Sequence, residues 1–202
     1  MKRIYLDYAA TTPLAKEVLD AMEPFFSKKF GNASSLHSFG KEAKEALEKS
    51  REIIAKKVDA KNHKLIFTSG GTESNNLALK GLAFANKDKG RHIITTKIEH
   101  DCVLNSCKWL ENQGFRITYL PVDKEVFINL KDLENAITKD TILVSIIHGN
   151  NEIGTIQDIK EIGKICSEHK VYFHTDACQS FTKAPVNLKK QNIDLLTINA
   201  HK

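Results

Sequence analysis

Short apolar runs rich in β-branched residues alternate along the chain with longer segments whose apolar positions recur at helical spacing. The short runs predict β-strands at 65–68, 92–96, 116–120, 141–147, 171–174 and 194–198. The longer segments predict helices near 41–58, 73–88, 100–113, 130–138, 156–169 and 186–191. Strands that alternate with helices need crossover connections, so the pattern predicts an α/β fold with a mostly parallel sheet and flanking helices.

The segment near 41–58 has its apolar residues on one side of a predicted helix. They form a predicted buried stripe of Ala43, Ala46, Leu47, Ile53, Ile54 and Val58. No repeat, low-complexity tract or Pro/Gly/Ser-rich linker divides the chain. We therefore predict an N-terminal segment, 1–13, followed by one domain, 14–202.

Composition and charge narrow the class of protein. The 202 residues are 41% hydrophobic and 27% charged, which is ordinary for a globular chain with one substantial core. The net charge is +5, and the basic residues near 41–57 alternate with glutamates, as on a solvated helix rather than a nucleic-acid surface. No export signal or membrane-spanning run is recognisable, and the four cysteines include no C-x-x-C pair typical of zinc sites. These features predict a cytoplasmic protein without a membrane, metal or direct nucleic-acid partner.

Polar clusters follow the predicted strands, and each could belong to a ligand site, because ligands of open parallel sheets bind outside the carboxyl ends of the strands. After 65–68 come Gly70, Gly71 and Thr72 at a predicted helix start. Glycines let a ligand approach the backbone, and the free N–H groups of a helix start favour an anion such as phosphate. The alternative is a tight turn with a Ser/Thr helix cap.

Two further clusters follow the strands at 92–96 and 141–147. His100 could stack on an aromatic ligand and move protons near neutral pH, or it could be a structural or solvated histidine. The segment 148–154 places Asn150 and Asn151 between Gly149 and Gly154, so that its amides could bind a ligand oxygen. The alternative for this segment is an ordinary loop.

The last two clusters supply a carboxylate and an amine. Asp176 directly follows a predicted buried strand and needs a partner, for which a protonated pyridine nitrogen is suited, and Gln179 lies one helical turn further on. Lys202 follows the strand at 194–198 and could form a Schiff base with an aldehyde. The alternatives are a helix-capping aspartate and a solvated lysine. Together, phosphate donors, an imidazole, a carboxylate and an amine are the groups that bind pyridoxal 5′-phosphate (PLP).

The chain also carries a series of motifs that resembles the successive signatures of cysteine desulfurases. In chain order the motifs are YLDYAATTP at 5–13, GNASS at 31–35 with His37, TSGGTESNN at 68–76, EH at 99–100, NNEIG at 150–154, HTDACQ at 174–179 and AHK at 200–202. They run from one end of the chain to the other. The resemblance implies the large domain of a fold-type-I PLP-dependent enzyme, truncated before its small C-terminal domain and normally half of a homodimer.

The resemblance further implies a reaction and its partners. L-Cysteine would be converted to L-alanine, while sulfur passes to an enzyme cysteine as a persulfide, for iron–sulfur cluster assembly or tRNA thiolation. The partners would be an iron–sulfur scaffold or another sulfur-acceptor protein, and a complementing C-terminal half. The alternatives are selenocysteine lyase, another class-V aminotransferase-like enzyme, or a non-catalytic remnant that binds PLP weakly or serves as an interaction surface.

The resemblance assigns the residues around the cofactor ring. It implies that Lys202 is the Schiff-base lysine and proton shuttle, and that His100 stacks on the ring and assists acid–base steps. Asp176 would pair with the pyridine nitrogen and Gln179 with the phenolic oxygen. Asn151 would contact the cofactor or the carboxylate side of the substrate.

The resemblance also assigns the phosphate end of the cofactor. Gly71 and Thr72, with His201, would hold the phosphate. Asn199 stands where the family usually has a serine, and its amide can still donate a hydrogen bond to that group.

The family pattern continues beyond what these 202 residues contain. The catalytic cysteine on its mobile loop and the arginine that binds the substrate carboxylate belong to the other part of the pattern. We therefore expect the chain by itself not to release sulfur from cysteine, and we expect it to expose apolar surface that the rest of the pattern would cover.

Overall fold

The computed structural model describes residues 3–60 and 63–202. Within them lies a five-stranded sheet, whose strands are β1 (His92–Thr96), β2 (Arg116–Leu120), β3 (Thr141–Ser145), β4 (Tyr172–Asp176) and β5 (Leu195–Thr197). The strand order is β2-β1-β3-β4-β5, and each neighbouring pair is parallel. The predicted α/β fold with a parallel sheet and flanking helices is confirmed.

Helices connect the strands and precede them. They are α1 (Lys16–Met22), α2 (Pro24–Ser27), α3 (Ser38–Lys57), α4 (Gly71–Ala85), α5 (Asp101–Glu111), α6 (Leu130–Ala136) and α7 (Ile159–Glu168). Several begin at a side chain that accepts a hydrogen bond from a first-turn N–H group, the standard N-cap. These caps are His37, His100, Asn129 and Asp158.

The core lies where α4 and α5 pack against the sheet. Every residue of β1 and β3 is buried, as expected for strands covered on both faces. Leu79 of α4 and Leu110 of α5 are fully buried in one cluster with Ile93 of β1 and Leu143 of β3. This packing holds β1 and β3 in place, and the candidate site lies at the carboxyl ends of these strands and their neighbours.

Some predicted elements differ in the structure. The segment 65–68 forms no strand, and Ile66 and Phe67 remain 56% and 47% exposed, because no neighbouring strand of the described chain pairs with the segment. The segment 186–191 forms turns rather than a helix. There the Asn187 and Gln191 side chains accept hydrogen bonds from N–H groups of Lys190 and Asn187, at 2.9 and 2.7 Å, in competition with helical bonding.

The chain divides into two compact units. One comprises Met1–Leu65 and His201, and the other comprises Ile66–Ala200 and Lys202. The sheet and all its strands belong to the second unit. The division into 1–13 and 14–202 stays a prediction.

The first unit exposes many apolar side chains. Of the stripe predicted on α3, Val58 is buried, whereas Leu47 and Ile53 are 39% and 61% exposed. The exposed apolar residues of the N-terminal segments include Ile4, Leu6, Leu14, Phe26, Phe30 and Leu36. The amphipathic pattern therefore predicts the α3 helix correctly but not the burial of its apolar side. Among the described residues no helix is both long and apolar enough to cross a membrane.

Candidate functional site

The carboxyl ends of the parallel strands bring most of the predicted site residues to one edge of the sheet. His100 follows β1, Asn151 follows β3, Asp176 ends β4, and Asn199 and Lys202 follow β5. The edge belongs to the second compact unit, as do Gly71 and Thr72 at the start of α4. The sequence rule that ligand residues follow strands therefore selects residues that share this edge.

Asp176 is the buried anionic group of this edge. Its side chain is 4% exposed. Oδ2 accepts a 2.7 Å hydrogen bond from Nδ2 of Asn75, and Oδ1 accepts a 2.9 Å bond from the backbone N–H of Cys178. A buried carboxylate is tolerated when donors of this kind compensate its lost hydration. Each oxygen retains acceptor capacity for a cationic N–H group of a ligand.

Gly71 lies where α4 approaches the ends of β4 and β5. A Cβ atom on this residue would lie 2.8 Å from Sγ of Cys178 and 3.5 Å from Nδ2 of Asn199. The residue before it, Gly70, caps α4 without a side-chain hydrogen bond, so the alternative of a Ser/Thr cap is not what the structure contains. The close approach of Cys178 explains the glycine at position 71, whereas a Cβ atom on Gly70 would meet nothing within 4 Å.

The Cys102 thiol joins several predicted residues. The hydroxyl of Thr72 forms a hydrogen bond with it. Nδ2 of Asn75 donates to Sγ over 3.2 Å, and Nδ1 of His100 lies 3.1 Å from the same sulfur. Thr72, which sequence reasoning assigned to phosphate, is thus engaged with a thiol in this structure.

His100 is both exposed and anchored. Its Nδ1 accepts the backbone N–H of Cys102 at 3.2 Å, which makes it the N-cap of α5. The ring therefore combines the structural role of a helix cap with solvent access for the second ring nitrogen. The structural interpretation of this histidine is confirmed, and its functional interpretation stays a prediction.

Asn151 is half-buried in a loop that its neighbour holds in place. Nδ2 of Asn150 donates to the Ile98 carbonyl at 3.2 Å, and Oδ1 accepts from the N–H groups of Glu152 and Ile153 at 2.9 and 3.2 Å. The loop after β3 is consequently fixed to the loop after β1, beside His100.

Gln179, Asn199 and Lys202 are half-buried around the same edge. Oδ1 of Asn199 accepts the N–H of Ala200 at 2.8 Å. Burial, together with the charge of Asp176, raises the pKa of the Cys178 thiol, and the positive charge of Lys202 opposes that increase. Lys202 therefore lies close enough to Cys178, the neighbour of Asp176, to act on it electrostatically.

His201 belongs to the first compact unit. Its Nδ1 lies 3.0 Å from Oγ1 of Thr11, and its carbonyl accepts from the backbone N–H and the hydroxyl of Thr12 at 3.1 and 2.9 Å. The phosphate contact that sequence reasoning assigned to His201 stays a prediction.

Glu99 lies at the candidate site, although the sequence gives it no role beyond its place in the EH motif. It is 5% exposed, and its Oε1 accepts from the Thr96 hydroxyl at 2.7 Å and from the Ile147 N–H at 2.9 Å. Burial raises its pKa to about 8, and nearby Asp176 adds to the increase. A mostly neutral carboxyl group therefore joins the end of β1 to the end of β3, directly before His100. Its only signal in the sequence was its place next to that histidine.

His174 fixes β4 from both sides. Its Nδ1 lies 2.8 Å from Oγ of Ser145 on β3, and its Nε2 lies 3.1 Å from Oγ1 of Thr197 on β5. Burial lowers its pKa to about 4, so the ring is neutral at physiological pH. This bridge, two residues before Asp176, holds the end of β4 in position.

The fold and this edge define a class-V aminotransferase-type protein: the sequence profile of the class-V aminotransferases matches residues 4–202, and the chain belongs to that family. Enzymes of this family use pyridoxal 5′-phosphate. The chain is 60% identical over 203 residues to "Cysteine desulfurase IscS" of Dictyoglomus turgidum, covering 100% of this chain and 52% of that protein. It is 53% identical over 201 residues to a protein of the same name from Clostridium botulinum, covering 100% of this chain and 51% of the relative.

Solved structures of similar proteins share the fold of this chain. "SspA in complex with cysteine" superposes with a TM-score of 0.92 at 45% identity, covering 98% of this chain and 57% of that one. "NIFS-LIKE PROTEIN" superposes with a TM-score of 0.94 at 39% identity, covering 99% and 55%. The resemblance to cysteine desulfurases is thereby confirmed. The chain spans about half the length of the curated relatives that it matches.

Proposed function

We propose that this chain is the cofactor-binding part of a PLP-dependent cysteine desulfurase, which converts L-cysteine to L-alanine and passes the sulfur to an enzyme cysteine. The observation that carries the proposal is the buried Asp176, held by Asn75 and the Cys178 N–H at the same sheet edge as His100 and Lys202. The identity of 60% to a cysteine desulfurase supports the choice of reaction within the family.

The residues present fit the cofactor chemically. Bound PLP would supply an electron sink, provided that its pyridine nitrogen stays protonated. Asp176 is suited to hold that proton, because its oxygens are oriented by donors and retain acceptor capacity. Gly71 has no side chain at the start of α4, where a Cβ atom would meet Cys178, so the N–H groups of this helix start can face a phosphate. Lys202 supplies the amine for covalent attachment.

The remaining assignments belong to the same proposal. His100 would face the ring, Gln179 its phenolic oxygen, and Asn151 the carboxylate side of the substrate. Thr72 would turn from Cys102 to the phosphate, while Asn199 and His201 would complete the phosphate contacts.

We also propose the partners and location that accompany this reaction. L-Cysteine is the proposed substrate, and one similar solved structure is described as a complex with cysteine. A homodimer, a complementing second half, and an iron–sulfur scaffold or other sulfur acceptor are proposed partners. The cytoplasm is the proposed location, in keeping with the free thiols of all four cysteines.

Covalent attachment of the cofactor is the first test. After incubation with PLP and reduction with borohydride, peptide mass spectrometry should find a pyridoxyl group on Lys202. Lys202→Ala should abolish the label, whereas Lys189→Ala, at an exposed lysine of the same unit, should leave it unchanged. Labelling of surface lysines with none on Lys202 would contradict the proposal and favour a non-catalytic remnant.

Desulfuration is tested separately. The chain should be combined with a polypeptide corresponding to the second half of the Dictyoglomus relative and supplied with PLP and L-cysteine. Alanine should then form, and Lys202→Ala should lower the rate by at least about 100-fold. A labelled Lys202 without alanine formation in the combined system would overturn the desulfurase assignment and leave cofactor binding in place.

A further inference from the structure

A chain of hydrogen bonds connects Asp176 to His100 through Asn75, which holds the carboxylate, and through Cys102, to which the proposed function gives no role. Nδ2 of Asn75 lies 2.7 Å from Oδ2 of Asp176 and 3.2 Å from Sγ of Cys102. The same sulfur lies 3.1 Å from Nδ1 of His100. Asn75 is fully buried and Cys102 is 8% exposed, so water does not compete for the two bonds that Asn75 donates.

The direction of each hydrogen bond follows from its neighbour. An ionised Asp176 only accepts, so it must face the NH₂ group of Asn75 rather than its carbonyl oxygen. That group has two hydrogens, and the second one points to Cys102. The sulfur is therefore an acceptor toward Asn75, which leaves the single S–H hydrogen for another partner.

The Thr72 hydroxyl also contacts this sulfur, and it lowers the pKa of the thiol as a donor does. Nδ1 of His100 is therefore the acceptor placed to receive the S–H hydrogen. It already accepts the backbone N–H of Cys102 at 3.2 Å, so a proton on Nδ1 would face a second N–H hydrogen. Of the two neutral tautomers, only the one with its proton on Nε2 satisfies both contacts.

From this geometry we propose that Cys102 is a positioning residue: its thiol donates to Nδ1 of His100 and fixes the ring as the Nε2–H tautomer. Resting on the proposed function, His100 then presents a hydrogen-bond donor, not an acceptor, to the cofactor side. Asn75 and Asp176 set the orientation of the thiol. The position of the Asp176 carboxylate therefore determines, through Cys102, which nitrogen of His100 carries the proton.

The thiol keeps its hydrogen under ordinary conditions. Burial raises the pKa of Cys102, and the charge of Asp176 adds to that increase, while the hydrogen bond from Asn75 opposes it. The ordinary thiol value is 9.0, so the group is a neutral donor throughout the physiological range.

The tautomer of His100 tests this proposal without any cofactor. The ¹⁵N chemical shifts of the ring, assigned with His100→Gln, should show Nε2–H in the unmodified chain. Cys102→Ala removes the S–H donor but leaves the backbone donor, so the tautomer ratio should shift about fivefold toward Nδ1–H, the effect of one neutral hydrogen bond. Cys102→Ser, which restores a donor, should return the ratio to its original value.

Cys107→Ala is the matched control. Cys107 is a fully buried cysteine on the same helix, within the cluster that contains Leu79 and Ile93. Its truncation should lower stability as much as Cys102→Ala does, yet leave the tautomer ratio unchanged. A merely structural role of Cys102 would make the two alanine variants alike.

The outcomes separate this proposal from the proposed function. An Nδ1–H ring in the unmodified chain, or equal tautomer ratios in Cys102→Ala and Cys107→Ala, would overturn the role of Cys102 whether or not PLP labels Lys202. The expected shift in Cys102→Ala with rescue by serine supports that role, and Lys202 labelling then reports on cofactor binding alone.

Discussion

Replacing Gly163 by alanine should lower the free energy of unfolding by about 3 kcal/mol or more. Gly163 lies inside α7, where an added Cβ would come within 1.8 Å of the backbone oxygen of Gln191 and 3.3 Å of Cδ1 of Phe173. Gln191 contributes backbone rather than a flexible side chain, so the helix itself would have to move. Phe173 is fully buried on β4, and any movement of α7 would disturb the strand that ends at Asp176.

Gly81→Ala is the control for this substitution. Gly81 also lies inside a helix, α4, but its added Cβ would meet Cδ1 of Leu77 at an ordinary 3.9 Å. Alanine favours a helix over glycine, so this variant should equal the original chain or gain up to about 1 kcal/mol. Chemical denaturation followed by circular dichroism measures both. Equal stability of the two variants would show that α7 is not packed as closely as described.

The stability of the chain relative to its Glu99→Gln variant should fall by about 1.6 kcal/mol between pH 6.5 and pH 8. The pKa of Glu99 is raised from 4.5 to about 8 in the folded chain. Between those values the folded state keeps a proton that the unfolded chain has lost, so unfolding becomes easier as the pH rises. The stabilisation is complete below pH 4.5 and lost as the pH passes 8, with a slope of about 1.4 kcal/mol per pH unit.

Three buried histidines act in the same window in the opposite sense. Burial lowers the pKa of His92, His148 and His174 from 6.5 in the folded chain, so each ring adds up to about 0.4 kcal/mol of stability as the pH rises from 6.5 to 8 and the unfolded chain loses its remaining histidine protons. The buried cysteines have an ordinary value of 9.0 and act only above it. Denaturation midpoints of Glu99→Gln should therefore rise slightly from pH 6.5 to 8, while Glu111→Gln, at an exposed position, should keep the profile of the unmodified chain. Parallel profiles of the unmodified chain and Glu99→Gln would argue that Glu99 is ionised.

The sequence pattern is most informative where local and global preferences agree. The runs 92–96 and 116–120 are strands with the predicted bounds. The first pairs with a strand on each side and the second, at the edge of the sheet, pairs with the first, so both find the neighbours that their β-branched residues favour. The run at 65–68 has the same local character but no paired neighbour. The predicted start of α7 near 156 was early, because Asp158 accepts the Glu161 N–H at 3.2 Å and caps the helix there.

The candidate site shows the same division. The positions of His100 and Asp176 after strands follow from the alternation of elements, which the sequence displays. The bond between Asn75 and Asp176 joins residues 101 positions apart, and the burial of Glu99 depends on an N–H group 48 positions away. Such contacts depend on tertiary packing, which periodicity does not encode. Asn75 was therefore visible as part of a motif and Cys102 as one of four cysteines, but neither was visible as a partner of the site.

The pairing of Asp176 with Thr197 across β4 and β5 also bears on the order in which the molecule forms. The carboxylate needs Asn75 from an early helix, 101 positions before it, and its strand pairs with β5, which is made after it. Closing so long a loop must precede the contacts that reward it, and parallel pairings of this kind form slowly. The sheet edge that carries the candidate site is therefore among the last parts of the fold to become ordered. A nascent chain that does not yet include β5 contains Asp176 without the strand that pairs with it.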